Sequence, residues 1–131
     1  MNRNSKKNRE VENKPGGNEM KVAVSSIGKA LDSNVSNIFG RCPYFVIAEI
    51  ENNKIVRVEA IENTSMNQMG GAGISTAQTI AEKDVKAVIT GNIGPRASDV
   101  LRQFDIEVYK GDGSVKEVLQ KFIDGKLEKI Q

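Results

Sequence analysis

The sequence predicts an α/β domain: a three-layer α/β/α sandwich on a mixed five-stranded sheet. Three observations predict it. Short alternating or β-branched runs recur, with amphipathic helical runs between the later ones. Asn52-Asn53 joins two of the strands as a hairpin, so one strand must be antiparallel. The remaining crossovers carry helices, and right-handed crossovers place helices on the sheet faces.

Each element has a local reason. Met20–Ser25 alternates apolar and polar residues and ends in a Ser-Ser-Ile-Gly turn, which reads as the first strand. Leu31–Phe39 carries Val35, Ile38 and Phe39 at helical spacing behind Asp32 and Ser33 as N-caps, so a short helix or turn is expected, ended by Gly40. Pro43–Glu51 and Lys54–Glu62 are strands 2 and 3, and Asn tolerates the positive φ their turn needs. Asn63–Gly73 is a long polar, Gly-rich loop, where ligand contacts tend to gather. Ile74–Lys83 follows as a helix, and the β-branched run Val85–Thr90 reads as a buried parallel strand. Gly91-Asn92-Ile93-Gly94-Pro95 is a turn with Pro95 at the first helical position. Ala97, Val100, Leu101 and Phe104 then mark an amphipathic helix. Ile106–Tyr109 is a fifth strand. Ser114 and Glu117 form a capping box ahead of a last helix through Ile123, which Gly125 stops.

The predicted strand order is 3-2-1-4-5 with strand 2 antiparallel. Its switch point falls between strands 1 and 4, and ligands collect outside the carboxyl ends of strands at such points. Ser25–Lys29, Thr90–Pro95 and Lys110–Gly113 should converge there, with Gly70–Gly73 and Arg41-Cys42 reaching the same rim.

Composition bounds the function. The 131 residues make one ordinary domain, with residues 1–19 read as a disordered tail and 20–131 as the α/β domain. The tail holds Arg3, Lys6, Lys7, Arg9 and Lys14 against Glu10, Glu12 and Glu19, a surplus equal to the whole chain's net charge of +2. The domain is therefore balanced, and no nucleic-acid partner is expected. No apolar run is long enough for a membrane span, and no signal peptide is visible. With one cysteine there is no intrachain disulfide, which suits a cytoplasmic location.

Cys42 is the sole cysteine and histidine is absent, so a metal bound through a soft side chain points first to Cys42, with Met66 and Met69 the other soft groups nearby. Arg41 beside it would favour the thiolate; alternatively Cys42 is a small buried hydrophobe. The glycine clusters Gly70-Gly71-Ala72-Gly73 and Gly91-Asn92-Ile93-Gly94 precede helices. There, backbone N–H groups and the helix dipole suit an anion; alternatively the glycines only permit tight turns. Neither is a P-loop. Arg96 reads as a second anion contact or a surface cation. Ser25 and Ser26 either donate to a ligand or close their turn. Asp32, Asp99 and Asp112 read as caps and surface groups. Strands 1 and 4 carry no acidic residue, so two-metal nuclease chemistry is not expected.

The chain from Met20 to about Leu127 resembles the dinitrogenase iron–molybdenum cofactor biosynthesis family. The resemblance rests on Met20–Ser25, Leu31–Ser33, Val35–Phe45 with its Phe-Gly-Arg-Cys-Pro-Tyr-Phe core, Gly71–Ile74 and Gly91–Pro95, in that order. It implies an RNase-H-like fold and the binding or carrying of an iron–molybdenum cofactor or related metal–sulfur cluster, without catalysis. It places Arg41 and Cys42 nearest the presumed site, opposite the glycine loops. Some members use histidine as a cluster ligand, and this chain has none.

The first expectation is a non-enzymatic carrier. Its cofactor-binding residues are Ser25, Arg41, Cys42, Gly70, Gly71, Gly73, Gly91, Asn92 and Gly94, with Cys42 as metal ligand and a cluster-assembly protein as partner. The alternative is an anion- or nucleotide-binding regulatory module acting with a partner ATPase.

Overall fold

The computed structural model describes residues 19–131. The chain runs β1 (Glu19–Ser26), β2 (Tyr44–Glu51), β3 (Lys54–Glu62), α1 (Ala72–Ala81), β4 (Ala87–Thr90), α2 (Pro95–Gln103), β5 (Glu107–Lys110), α3 (Val115–Ile123) and β6 (Glu128–Lys129). The expected tail lies outside the described residues, except Glu19, which opens β1.

The sheet order is β3-β2-β1-β4-β5-β6. β1 pairs antiparallel with β2 and parallel with β4, and β4 pairs parallel with β5, as the predicted order requires. Asn52 and Asn53 have φ of 52° and 66°, the twist that suits a two-residue hairpin. The sheet has six strands, not five. β6 pairs antiparallel with β5, with Tyr109 opposite Lys129 and a Lys129–Glu107 ion pair of 3.2 Å beside it. A Glu-Lys dipeptide carries no alternation, so this strand has no sequence pattern to show.

Period-two alternation sorts the sheet's side chains between two cores. Ala23, Ile47 and Val88 pack with Ala77, Ile80 and Leu101 of α1 and α2. Val24, Val46 and Ile89 pack with Val115, Val118 and Leu119 of α3 on the other face. These are three layers, with α1 and α2 together on one side. Leu101 and Leu119 are fully buried, and each such burial stabilises by roughly 1.5–3 kcal/mol.

The expected helix or turn over Leu31–Phe39 is not a helix. Its N–H groups are spent sideways: Val35 donates to Gly113 O at 2.8 Å, Ser36 to Ser25 O at 2.9 Å and Phe39 to Asn92 O at 3.0 Å. A helix would need those donors along its own axis. The segment instead caps α3, since Ser33 O and Leu31 O accept from Val115 and Lys116 at 2.8 Å. The Ser114–Glu117 capping box forms as read.

Candidate functional site: a cleft at two helix N-termini

Glycines bring three distant segments together. A Cβ on Gly40 would lie 2.8 Å from Gly73 Cα and 3.0 Å from its N, so only glycine lets the Phe39–Arg41 segment rest on the first turn of α1. A Cβ on Gly73 would meet Ala97 Cβ at 3.3 Å, which sets that turn against the start of α2. A Cβ on Gly91 would lie 2.7 Å from Asn37 Cα, so the β4–α2 turn passes close under the Asn37–Phe39 strap.

The result is a cleft of about 580 Å³ lined by, among others, Arg41, Gly71, Gly73, Asn92, Gly94 and Arg96. Neither α1, after Gly71 (φ 70°), nor α2, after Gly94, has a side-chain cap. Their first-turn N–H groups therefore remain as donors, and each helix end carries partial positive charge. The lining contains two arginines and no carboxylate. Arg41 Nη1 donates to Met66 O at 2.8 Å and Gln68 O at 2.7 Å, so it fastens the long loop while keeping its charge at the cleft. Arg96 is exposed and has no hydrogen-bond or ion-pair partner among the described residues. The arrangement can bind an anion by hydrogen bonds and Coulomb attraction.

The sulfur lies elsewhere. Cys42 is fully buried in the core shared by the sheet, α1 and α2, and its Sγ donates to Phe39 O at 3.2 Å. Desolvation pushes the thiol up to about 12, outweighing hydrogen bonds from the Ser26 backbone and the Asn63 side chain that favour the thiolate. The expected rim thiolate is thus corrected to a protonated core thiol. The adjacent Arg41 is exposed and points to the loop carbonyls. Among the described residues, no group of three or more His, Cys, Asp or Glu side chains is placed to hold a metal ion.

The model of the family described as "Dinitrogenase iron-molybdenum cofactor" matches residues 20–125. The chain belongs to this family. An uncharacterized protein of Methanocaldococcus jannaschii is 45% identical over 114 residues, covering 86% of this chain and 97% of that protein. The apo form of the orange protein from Desulfovibrio gigas is 30% identical with a TM-score of 0.76, over 84% of this chain and 92% of that one. A Thermotoga protein provisionally named NifB is 35% identical with a TM-score of 0.73, over 85% and 93%.

In this family member the remaining expected residues divide. Arg41, Gly71, Gly73, Asn92 and Gly94 line the cleft. Ser25 does not: it is buried, and its Oγ lies within hydrogen-bonding distance of Thr90 Oγ1 at 2.8 Å and Ser36 O at 3.1 Å, tying β1 to β4. Gly91 is a packing glycine against Asn37, and Gly70 lies in open solvent outside the lining. Met69 is fully exposed. Lys110 and Asp112 line a second cleft of about 500 Å³ with Lys121 of α3. The expected single mouth is therefore two clefts, because α2 and α3 lie on opposite sheet faces; Asn92 touches both.

Asn63 builds the site, and sequence reasoning alone misses it. Its Nδ2 donates to Cys42 O at 2.9 Å and Gly40 O at 3.2 Å. Its Oδ1 accepts from Ser65 N at 3.1 Å and Thr76 Oγ1 at 3.2 Å. One amide thus joins the Arg41 segment, the loop and α1. The available signal was local: an Asn two residues before Ser65 suits an Asx turn. No helix of the described residues is long and apolar enough to cross a membrane.

Proposed function

We propose that this chain binds an anionic metal–sulfur cluster, an iron–molybdenum cofactor or a relative of it, as cargo in the α1–α2 cleft, and passes it on without transforming it. One observation carries the reading: two uncapped helix N-termini and two guanidinium groups meet in one cleft without a carboxylate. Backbone N–H groups donate well to cluster sulfides, and the arginines offset the cluster's negative charge. Recognition is through the outer sulfides rather than through a protein thiolate, because Cys42 lies outside the lining. The lining offers no histidine, carboxylate or thiol to serve as acid or base, which favours carrying over catalysis. The family's description supports a molybdenum cargo, and a relative solved in apo form supports a chain that loads and unloads. A cluster-assembly protein would be its donor.

Tetrathiomolybdate is a simple molybdenum–sulfur anion and a direct probe. After anaerobic mixing and desalting, the full chain should retain molybdenum and a visible absorption band. Arg96→Glu should lose most of both, and Cys42→Ala should keep them if it remains folded by circular dichroism. Full displacement by equimolar inorganic phosphate would favour the anion- or nucleotide-binding reading. No retention by the parent chain would reject the carrier.

A further inference from the structure

β3 is one edge of the sheet, and among the described residues no strand pairs with its outer side. Such an edge presents backbone groups that another strand can complete. The ladder fixes which ones. Asn63 N donates to Pro43 O, on the β2 side. Alternation then turns the N–H and C=O of Ile61 and Glu59 toward β2, and those of Ala60 and Val58 outward. On this edge Val58 is 37% exposed and Val56 52%.

The segment Arg57-Val58-Glu59, beyond the β-bulge at Val56, is its own complement about Val58. In the regular part of the strand an antiparallel copy sets Val58 opposite Val58. It also sets Arg57 opposite Glu59, twice by symmetry.

We infer that β3 is a self-association edge whose occupant is β3 of a second copy of this chain, paired about a two-fold axis at Val58. The sheets of both copies then become continuous. Symmetry makes the Arg57–Glu59 pair twice, at positions not hydrogen-bonded across the new interface, where side chains come closest. Within one chain, Arg57 has only a 3.9 Å ion-pair contact with Glu49 among the described residues, and its side chain is 75% exposed. A uniformly acidic or basic foreign strand would meet one matched and one opposed charge, whereas a second copy matches both. The register irregularity opposite Glu49 and Ile50 makes Val56 an extra residue and bends the start of β3, so regular pairing centres on Arg57–Glu59. The interface is small, so the dimer is reversible and concentration-dependent.

Sedimentation equilibrium on the full chain tests this. The parent should show a monomer–dimer equilibrium. Arg57→Glu and Glu59→Arg should each weaken it about tenfold, and the double variant should return within about threefold, because the swapped charges match again. Val58→Pro removes an outward N–H that the single chain does not use. It should abolish the dimer while circular dichroism and the thermal midpoint stay near those of the parent. A monomer up to ~1 mM would overturn the inference. So would a dimer indifferent to Val58→Pro, or a double variant no better than the single ones.

Discussion

Gly40→Ala attacks the contact that builds the cleft. The new Cβ would sit 2.8 Å from Gly73 Cα and 3.0 Å from Gly73 N. Both are backbone atoms in the first turn of α1, so no side chain can rotate away, and the segment or the helix must shift by several tenths of an ångström. Overpacking of this kind costs about 1–3 kcal/mol. For a domain of this size that lowers the thermal midpoint by roughly 4–13 °C. The shift also moves the N–H groups of Gly73 and Ile74 off the position where, on the proposed reading, they meet the anion. Gly70→Ala is the matched control, since a Cβ there has nothing within 4 Å. It should be neutral, or stabilising by up to about 1 kcal/mol through the unfolded state. Urea and thermal unfolding by circular dichroism give the stability, and molybdenum retained from tetrathiomolybdate gives the site. A Gly40→Ala chain with parental stability and parental retention would refute the reasoning.

Asn63→Ala strips hydrogen bonds from Gly40 O, Cys42 O, Ser65 N and Thr76 Oγ1, and should cost about 2–4 kcal/mol in urea unfolding. Hydrogen exchange should then speed up in the 63–71 loop. Cys42 gives a pH signature. Its thiol titrates higher in the folded chain, at about 12, than in the unfolded one, so the folded state holds the proton more tightly. Its contribution is complete below about pH 9 and is lost as pH rises toward 12. Between about pH 9 and 10 stability should fall with a slope that Cys42→Ala lacks. At higher pH Tyr109, also pushed up to about 12, chiefly by desolvation, adds a slope of the same sign. Thiol alkylation at pH 8 should be slow in the native chain and fast in urea.

Much of the fold was legible because its causes are local. The alternation of Lys54–Glu62, the Asn52-Asn53 turn and the Ser114–Glu117 box each act over a few residues, and all formed where read. The helix start after Gly94 was legible for the same reason, while α1 begins at Ala72, two residues before the expected Ile74. What failed depended on distant partners. Leu31–Phe39 has helical spacing, but its donors go to Gly113, Ser25 and Asn92. β6 exists because β5 offers it an edge. Cys42 beside a cation looked like a rim thiolate until the sheet and helices enclosed it. Asn63 looked like ordinary loop chemistry, since three of the groups it joins to the loop belong to Gly40, Cys42 and Thr76.

The order of residues alone determined the strand and helix periodicities, the hairpin, the parallel crossovers and the family. It also determined that no histidine could serve as a ligand. Tertiary structure decided which groups face the cleft. Burial turned a candidate thiolate into a neutral core thiol, and glycine contacts at Gly40, Gly73 and Gly91 put two helix ends side by side. Desolvation and close backbone approach depend on what lies nearby in space, and neither is written in the identity of neighbours along the chain.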